Sequence, residues 1–150
     1  MKLEEEIQQR KFKSEHQKAS LNVMYTGGWL NAQTNQLLKP FGLSHQQFNV
    51  LRILRGVFPA SANLCHIQCK MLDKMSNATR LVEKLREKGL VTRDLCRENR
   101  RKVEIAITQK GLELLEKIDA PLEAYHREMC SRLNEEEARE VNRLMDKMRE

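Results

Sequence analysis

The sequence predicts a mainly α-helical protein that carries one two-stranded β-hairpin. Three observations point there. With 5% aromatic residues, six glycines and three prolines in 150 residues, the chain has too few turn formers for a sandwich of many short strands. Hydrophobic residues recur at three- and four-residue spacing over most of the length. Only past Gly89 does the spacing switch to alternation.

Residues 4–38 read as helix, with the Gly27-Gly28 pair expected to interrupt or bend it. Pro40 and Gly42 mark a turn. Ser44 and Gln47 then have the spacing of a capping box, and Leu43 and Phe48 that of a hydrophobic staple. The helix they start carries Phe48, Leu51 and Leu54 and stops near Gly56. Residues 57–63 form a loop, and 64–72 a short helix with Leu64, Ile67 and Met71 on one face.

After the tight connection at 73–75, Ser76 is the expected cap of a helix running to Lys88. Its apolar stripe is Ala78, Leu81, Val82 and Leu85. Two short helices joined by so short a turn make a helix-turn-helix. Val103, Ile105 and Ile107 alternate with polar or small residues, so this run and the one after Gly89 form the hairpin. Its tip holds Arg97, Arg100, Arg101 and Lys102. Thr108 caps a long helix reaching roughly Leu133, in which Pro121 marks a bend or break. Asn134 and Glu137 start a last helix striped by Val141, Leu144, Met145 and Met148. Together these elements give a winged helix-turn-helix with a two-stranded β wing, flanked by N- and C-terminal helices. A single domain of 1–150 is expected, with its core at 43–110 and terminal helices at 4–38 and 111–150.

The charge is unevenly placed. Residues 76–110 hold ten Lys/Arg against five Asp/Glu, and residues 1–75 hold the same balance. Residues 111–150 hold seven against eleven. A basic region confined to part of a fold is the footprint of a polyanionic partner. On the 76–88 helix, the side away from the apolar stripe holds Ser76, Asn77, Arg80, Glu83 and Lys84, with Thr79 at its edge; Ser76, Asn77, Thr79, Arg80 and Lys84 are the DNA-binding candidates. Short hydrogen-bonding groups ahead of long cations suit base edges near the helix tip and phosphates behind it. The alternative for that helix alone is a solvated face. The arginine-rich hairpin tip argues against it, because guanidinium groups pair with phosphate and fit a narrow minor groove.

Several function classes are excluded or disfavoured. The first thirteen residues are charged, and no apolar run approaches the ~20 residues of a membrane span, so a cytoplasmic protein is expected. Neither a phosphate-binding glycine loop nor a nucleophile motif is present, and the four histidines show no paired spacing, so no enzyme is expected. The four cysteines read as reduced thiols, and neither a metal nor a cofactor is expected.

Residues 43–118 resemble the DNA-binding core of the MarR family of bacterial transcription regulators. The resemblance rests on Leu43-Ser44-His45-Gln46-Gln47-Phe48-Asn49-Val50-Leu51, on Met75-Ser76-Asn77-Ala78-Thr79-Arg80-Leu81-Val82-Glu83-Lys84-Leu85, and on Lys88-Gly89-Leu90-Val91-Thr92-Arg93. The stretch from Asn99-Arg100-Arg101 through Ile107-Thr108, followed by Lys110-Gly111, completes it. The resemblance implies a homodimer held by the terminal helices. It also implies recognition helices in consecutive major grooves of a pseudo-palindromic operator and wings in the flanking minor grooves. One departure stands out: Asn99 takes the place of the family's usual wing Asp, and an amide makes no ion pair.

The family resemblance also implies a repressor released by a small, often phenolic, effector. Tyr25, Trp29, Phe41, His45 and Phe48 are the candidate lining of an effector pocket, although rings at such spacing also serve as core. Two other functions compete. A redox or metal sensor on the same scaffold would use Cys65 and Cys69, one helical turn apart, and Cys96 beside Arg97. A winged-helix protein–protein adaptor would have no need of the clustered tip arginines.

Overall fold

The computed structural model describes residues 1–95 and 103–150. In order, the elements are α1 (Leu3–Glu6), α2 (Glu15–Leu38), α3 (His45–Arg55), α4 (Leu64–Lys70), α5 (Ala78–Glu87), β1 (Val91–Leu95), β2 (Val103–Ile107), α6 (Gln109–Cys130) and α7 (Glu135–Lys147), with a 3-10 turn at Lys39–Phe41.

The first helical stretch differs from expectation. It breaks before Glu15 rather than at the glycine pair, and Gln8 adopts a left-handed φ of 53° in the break. Ser14 caps α2 by accepting from the Gln17 N–H. From there the helix runs unbroken through Gly27-Gly28. Each glycine costs only about 1 kcal/mol of helix propensity. A 24-residue helix has enough cooperative length on both sides to carry that cost.

The local signals around α3 act as read. Ser44 and Gln47 close the capping box reciprocally, and the staple residues Leu43 and Phe48 are both buried. Gly42, at φ 67°, turns the chain into this start. Val50, Leu51 and Leu54 of α3 form the centre of the core. Around them pack Ile67 and Met71 at the α4 end, Val82 and Leu85 of α5, Ile105 of β2, and Leu115 and Ile118 of α6.

The strands pair antiparallel from Val91 opposite Ile107 to Leu95 opposite Val103. A single-residue bridge between Ala62 and Ile105, bonded in both directions at 2.8 Å, adds a short third edge from the loop before α4. It has no sequence signature, because one residue has no period.

Thr108 caps α6 as expected, accepting from the Gly111 N–H. The helix continues through Pro121 without a break and ends at Cys130, short of the expected Leu133. Asn134 and Glu137 close a second capping box at the start of α7. None of the α7 residues is buried; Val141, Leu144 and Met148 stand 39–53% exposed.

Two glycines of this fold respond in opposite directions to the same substitution. A β-carbon on Gly111 would lie 2.5 Å from the Leu90 carbonyl oxygen and 2.7 Å from Ile107 Cγ1. Overpacking of this kind costs about 1–3 kcal/mol, against a gain of about 1 kcal/mol in helix propensity. At Gly28 a β-carbon meets nothing within 4 Å. In urea unfolding, Gly111→Ala therefore lowers the midpoint, whereas Gly28→Ala raises stability by about 0.5–1 kcal/mol.

Candidate nucleic-acid interface

Helix α5 is the second helix of a helix-turn-helix, and its two faces are sharply divided. Ala78, Val82 and Leu85 are buried against the core. Asn77, Thr79, Arg80 and Lys84 are exposed on the outward side, and Ser76 is half-buried at its edge. All five of these predicted residues lie along α5 or in the two residues before it, from Ser76 to Lys84 toward its last turn, and all but Thr79 line a shallow cleft of about 360 Å³. Ser44, Gln46 and Gln47 from the start of α3 form its other wall. Three polar residues facing the α5 side chains were not anticipated, because nothing local links positions thirty residues apart.

The start of α5 needs a correction. Asn77, not Ser76, is the cap, and its Oδ1 accepts from the Arg80 N–H at 3.0 Å. Serine and asparagine cap about equally well, so adjacent candidates cannot be ranked from sequence. The Ser76 hydroxyl is buried and has no hydrogen-bond partner among the described residues. Capping uses the Asn77 oxygen and leaves its NH2 available as a donor.

Charge on the outward face resolves into two kinds. Glu83 is paired with Arg86 at 2.5 Å, which holds its carboxyl below the usual range. Among the described residues, Arg80 and Lys84 have no carboxylate partner. The wing candidates Arg97, Arg100, Arg101 and Lys102, together with Asn99 and Cys96, lie outside the described residues. Of the strand before them, Thr92 to Leu95 are exposed.

The five aromatic and imidazole candidates do not form one pocket. Phe48 is core, and Phe41 packs against it. Tyr25 and Trp29 line a cleft of about 270 Å³ with Leu3 and Glu6, where the Tyr25 hydroxyl donates to Glu6 Oε2 at 2.7 Å. The Arg132 guanidinium stands 5.7 Å from the Trp29 ring centre. His45 faces a different and larger cleft of about 490 Å³, between α2, α3 and the helix-turn-helix connection. Its polar lining includes Asn31, Asn49 and Asp73, none of them predicted. Asn49 is buried, and its Oδ1 accepts from the Leu72 N–H at 2.9 Å, so the cleft wall holds the turn before α5. The His45 ring places Nδ1 2.9 Å from Asn31 Oδ1. Burial, and secondarily the Arg52 charge, pushes its pKa down.

Cys65, Cys69 and Cys130 are free and exposed. Among the described residues, no group of three or more His, Cys, Asp or Glu side chains is placed to hold a metal. Likewise, among them no helix is long and apolar enough to cross a membrane.

Comparison with known proteins settles the family. The sequence model of the MarR family matches residues 43–103. The crystal structure of a MarR transcription factor from Planctomyces limnophilus is 36% identical, covers 91% of this chain and 98% of its own, and superposes with a TM-score of 0.68. The chain belongs to the MarR family. Another solved structure, CouR from Rhodococcus jostii RHA1 bound to p-coumaroyl-CoA, is 26% identical, covers 91% of this chain and 93% of its own, and has a TM-score of 0.72. The transcriptional repressor MprA of Escherichia coli is 25% identical over 114 residues, which is 76% of this chain and 65% of MprA. The chain thus spans under two thirds of the length of the curated relatives it matches. The MarR core 43–103 takes in α3, α4, α5 and β1.

The corrected cap has a measurable consequence. Asn77→Ala removes the acceptor for Arg80 N–H and lowers unfolding stability by about 0.5–2 kcal/mol, whereas Ser76→Ala removes no capping bond. Urea midpoints of the two variants separate the roles. His45 gives a pH signature. Its folded pKa lies below the unfolded one, so between the two values the unfolded chain binds more protons. Its contribution is full above the ordinary imidazole range and is lost as pH falls from that range through the lowered folded value. Stability measured across mildly acidic pH is therefore flatter in His45→Gln than in the parent chain.

Proposed function

We propose that this chain is a sequence-specific DNA-binding transcription regulator, acting as a homodimeric repressor that a small molecule releases. The observation that carries this reading is the outward face of α5. There Asn77, Thr79, Arg80 and Lys84 stand exposed over an apolar stripe anchored by Ala78, Val82 and Leu85, and Glu83, a carboxylate on the same helix, is already paired with Arg86. In this reading Asn77, Thr79 and Arg80 contact base edges in the major groove and Lys84 contacts phosphate, while Ser76, whose hydroxyl is buried, makes no base contact. Arg97, Arg100, Arg101 and Lys102 serve the flanking minor groove.

The dimer is supported by α7, none of whose residues is fully buried within its own chain, and by the exposed Val141, Leu144 and, just past its end, Met148. Such a stripe at helical spacing is what a partner helix covers. The cleft at His45 is the better effector site than the five-ring set, because its wall residue Asn49 holds the turn leading into α5. That CouR was solved with p-coumaroyl-CoA supports an aromatic acid derivative as the effector class. The MprA name supports repression over activation.

Selection of bound sequences from a random duplex pool tests the reading at once. The expected product is a pseudo-palindrome whose half-sites are centred about 34–36 Å apart. On that operator, Arg80→Ala and Arg101→Ala each weaken binding by about 1–3 kcal/mol where they reach a base. Each also lowers the salt slope by about one unit where a phosphate contact is lost. Unaltered affinity and slope in both variants would overturn the assignment.

A further inference from the structure

The exposed cysteine pair on α4 is outside the proposed DNA-binding face and lines none of the three clefts. Cys65 and Cys69 lie four residues apart in the seven-residue helix, and both are exposed. At that spacing two side chains share one face, with β-carbons roughly 5–6 Å apart. Ile67, the buried residue of α4, lies two positions from each and so points to the opposite side. The pair therefore has no part in the core. Cysteine ordinarily sits among the most buried residue types, which makes two adjacent solvent-facing thiols unusual. His66, between them in sequence, has its Nε2 buried away from the exposed surface.

We propose that Cys65 and Cys69 form a dithiol site for a soft electrophile that accepts two thiolates, of the trivalent organoarsenical type. A pyramidal bridging atom with soft-thiolate bonds of about 2.3 Å holds its two sulfurs roughly 3.3–3.5 Å apart, a separation that rotation about each Cα–Cβ bond brings within reach. The chemistry is ligand exchange. An aryl arsenic dihydroxide loses both As–O bonds and gains two As–S bonds. The two thiol protons leave with the two hydroxides as water. Arsenic stays trivalent, so no oxidant or reductant takes part. With no third His, Cys or carboxylate grouped there among the described residues, the pair suits a two-thiolate ligand and not a tetrahedral metal.

The site also sits on a structural support. Gln68, between the two cysteines, donates to the Lys74 carbonyl at 3.1 Å and accepts from the Ala78 N–H, so the dithiol helix is tied to the first residue of α5. The inference rests on α4 alone and is independent of the DNA-binding reading.

The test is intact-mass measurement of the reduced full chain mixed with phenylarsine oxide in excess glutathione. The monothiol strips single-cysteine adducts and leaves chelated ones. The expected result is one phenylarsenic group per chain, removed by 2,3-dimercaptopropanol. Cys65→Ser and Cys69→Ser each weaken retention by roughly 100-fold or more, the gain lost when a chelate becomes a single attachment. Cys96→Ser and Cys130→Ser retain the group. Circular dichroism of the serine variants matches the parent, since both positions are exposed. Failure of the parent chain to retain the group, survival of retention in either Cys65→Ser or Cys69→Ser, or its loss in Cys96→Ser or Cys130→Ser overturns the proposal.

Discussion

Three successive backbone carbonyls just past α5 hold the molecule's working parts in register. The Lys88 carbonyl accepts from Lys110 Nζ at 2.8 Å, the Gly89 carbonyl from the Thr108 hydroxyl at 2.8 Å, and the Leu90 carbonyl from the Thr108 N–H at 3.0 Å. Gly89 takes φ 71°, which presents these groups to the start of α6. Lys88 in turn donates its ammonium to the Gly42 carbonyl and to Gln47 Oε1, reaching the start of α3. One short segment therefore joins α5, the hairpin, α6 and the α3 cap. Gly111 lets α6 approach close enough for this to happen, since a β-carbon there would collide with Leu90.

The other end of α5 is held by equally specific contacts. Asn77 caps it, Gln68 reaches it from α4, and Asn49 holds the turn before it through Leu72. With the apolar stripe buried between those two anchors, the outward side chains have no structural work beyond the Asn77 cap. That separation explains how a helix of ten residues can present an exact row of polar groups without being weakened by them. Such rows are precise when the supporting contacts lock the backbone beneath them.

Signals legible in the sequence were those confined to a few consecutive residues. Capping boxes at Ser44 and Asn134, the Leu43–Phe48 staple, the 78–85 stripe and the alternation of 103–107 all involve neighbours along the chain, and each formed as read. Interactions across the fold were not legible. Asn49 and Leu72 are 23 positions apart, and an isolated asparagine carries no hint of its partner. Tyr25, Trp29, His45 and Phe48 looked alike as ring-bearing residues, yet they divide among two clefts and the core because burial depends on tertiary packing. Glycine at 27 and 28 misled for a related reason: local propensity is small beside the cooperativity of a long helix.

The Arg55–Asp119 pair gives α6 a mechanical character. Arg55 forks onto both carboxylate oxygens of Asp119 at 2.8–3.1 Å, clamping α6 to the end of α3. Before this clamp α6 buries Gly111, Leu115 and Ile118; beyond it no α6 residue is buried. Pro121 follows two residues later, and lacking an N–H it leaves the ladder one bond short at that point. The helix is thus a beam seated in a wall for the larger part of its length, with Leu122 still packed against the core just past the missing ladder bond. From Leu122 to Cys130 the remaining length is roughly 12 Å at 1.5 Å per residue, so a tilt of about 10° there moves the tip by roughly 2 Å. Small angular changes at the core boundary are thereby amplified into displacements at the far end, where α7 begins.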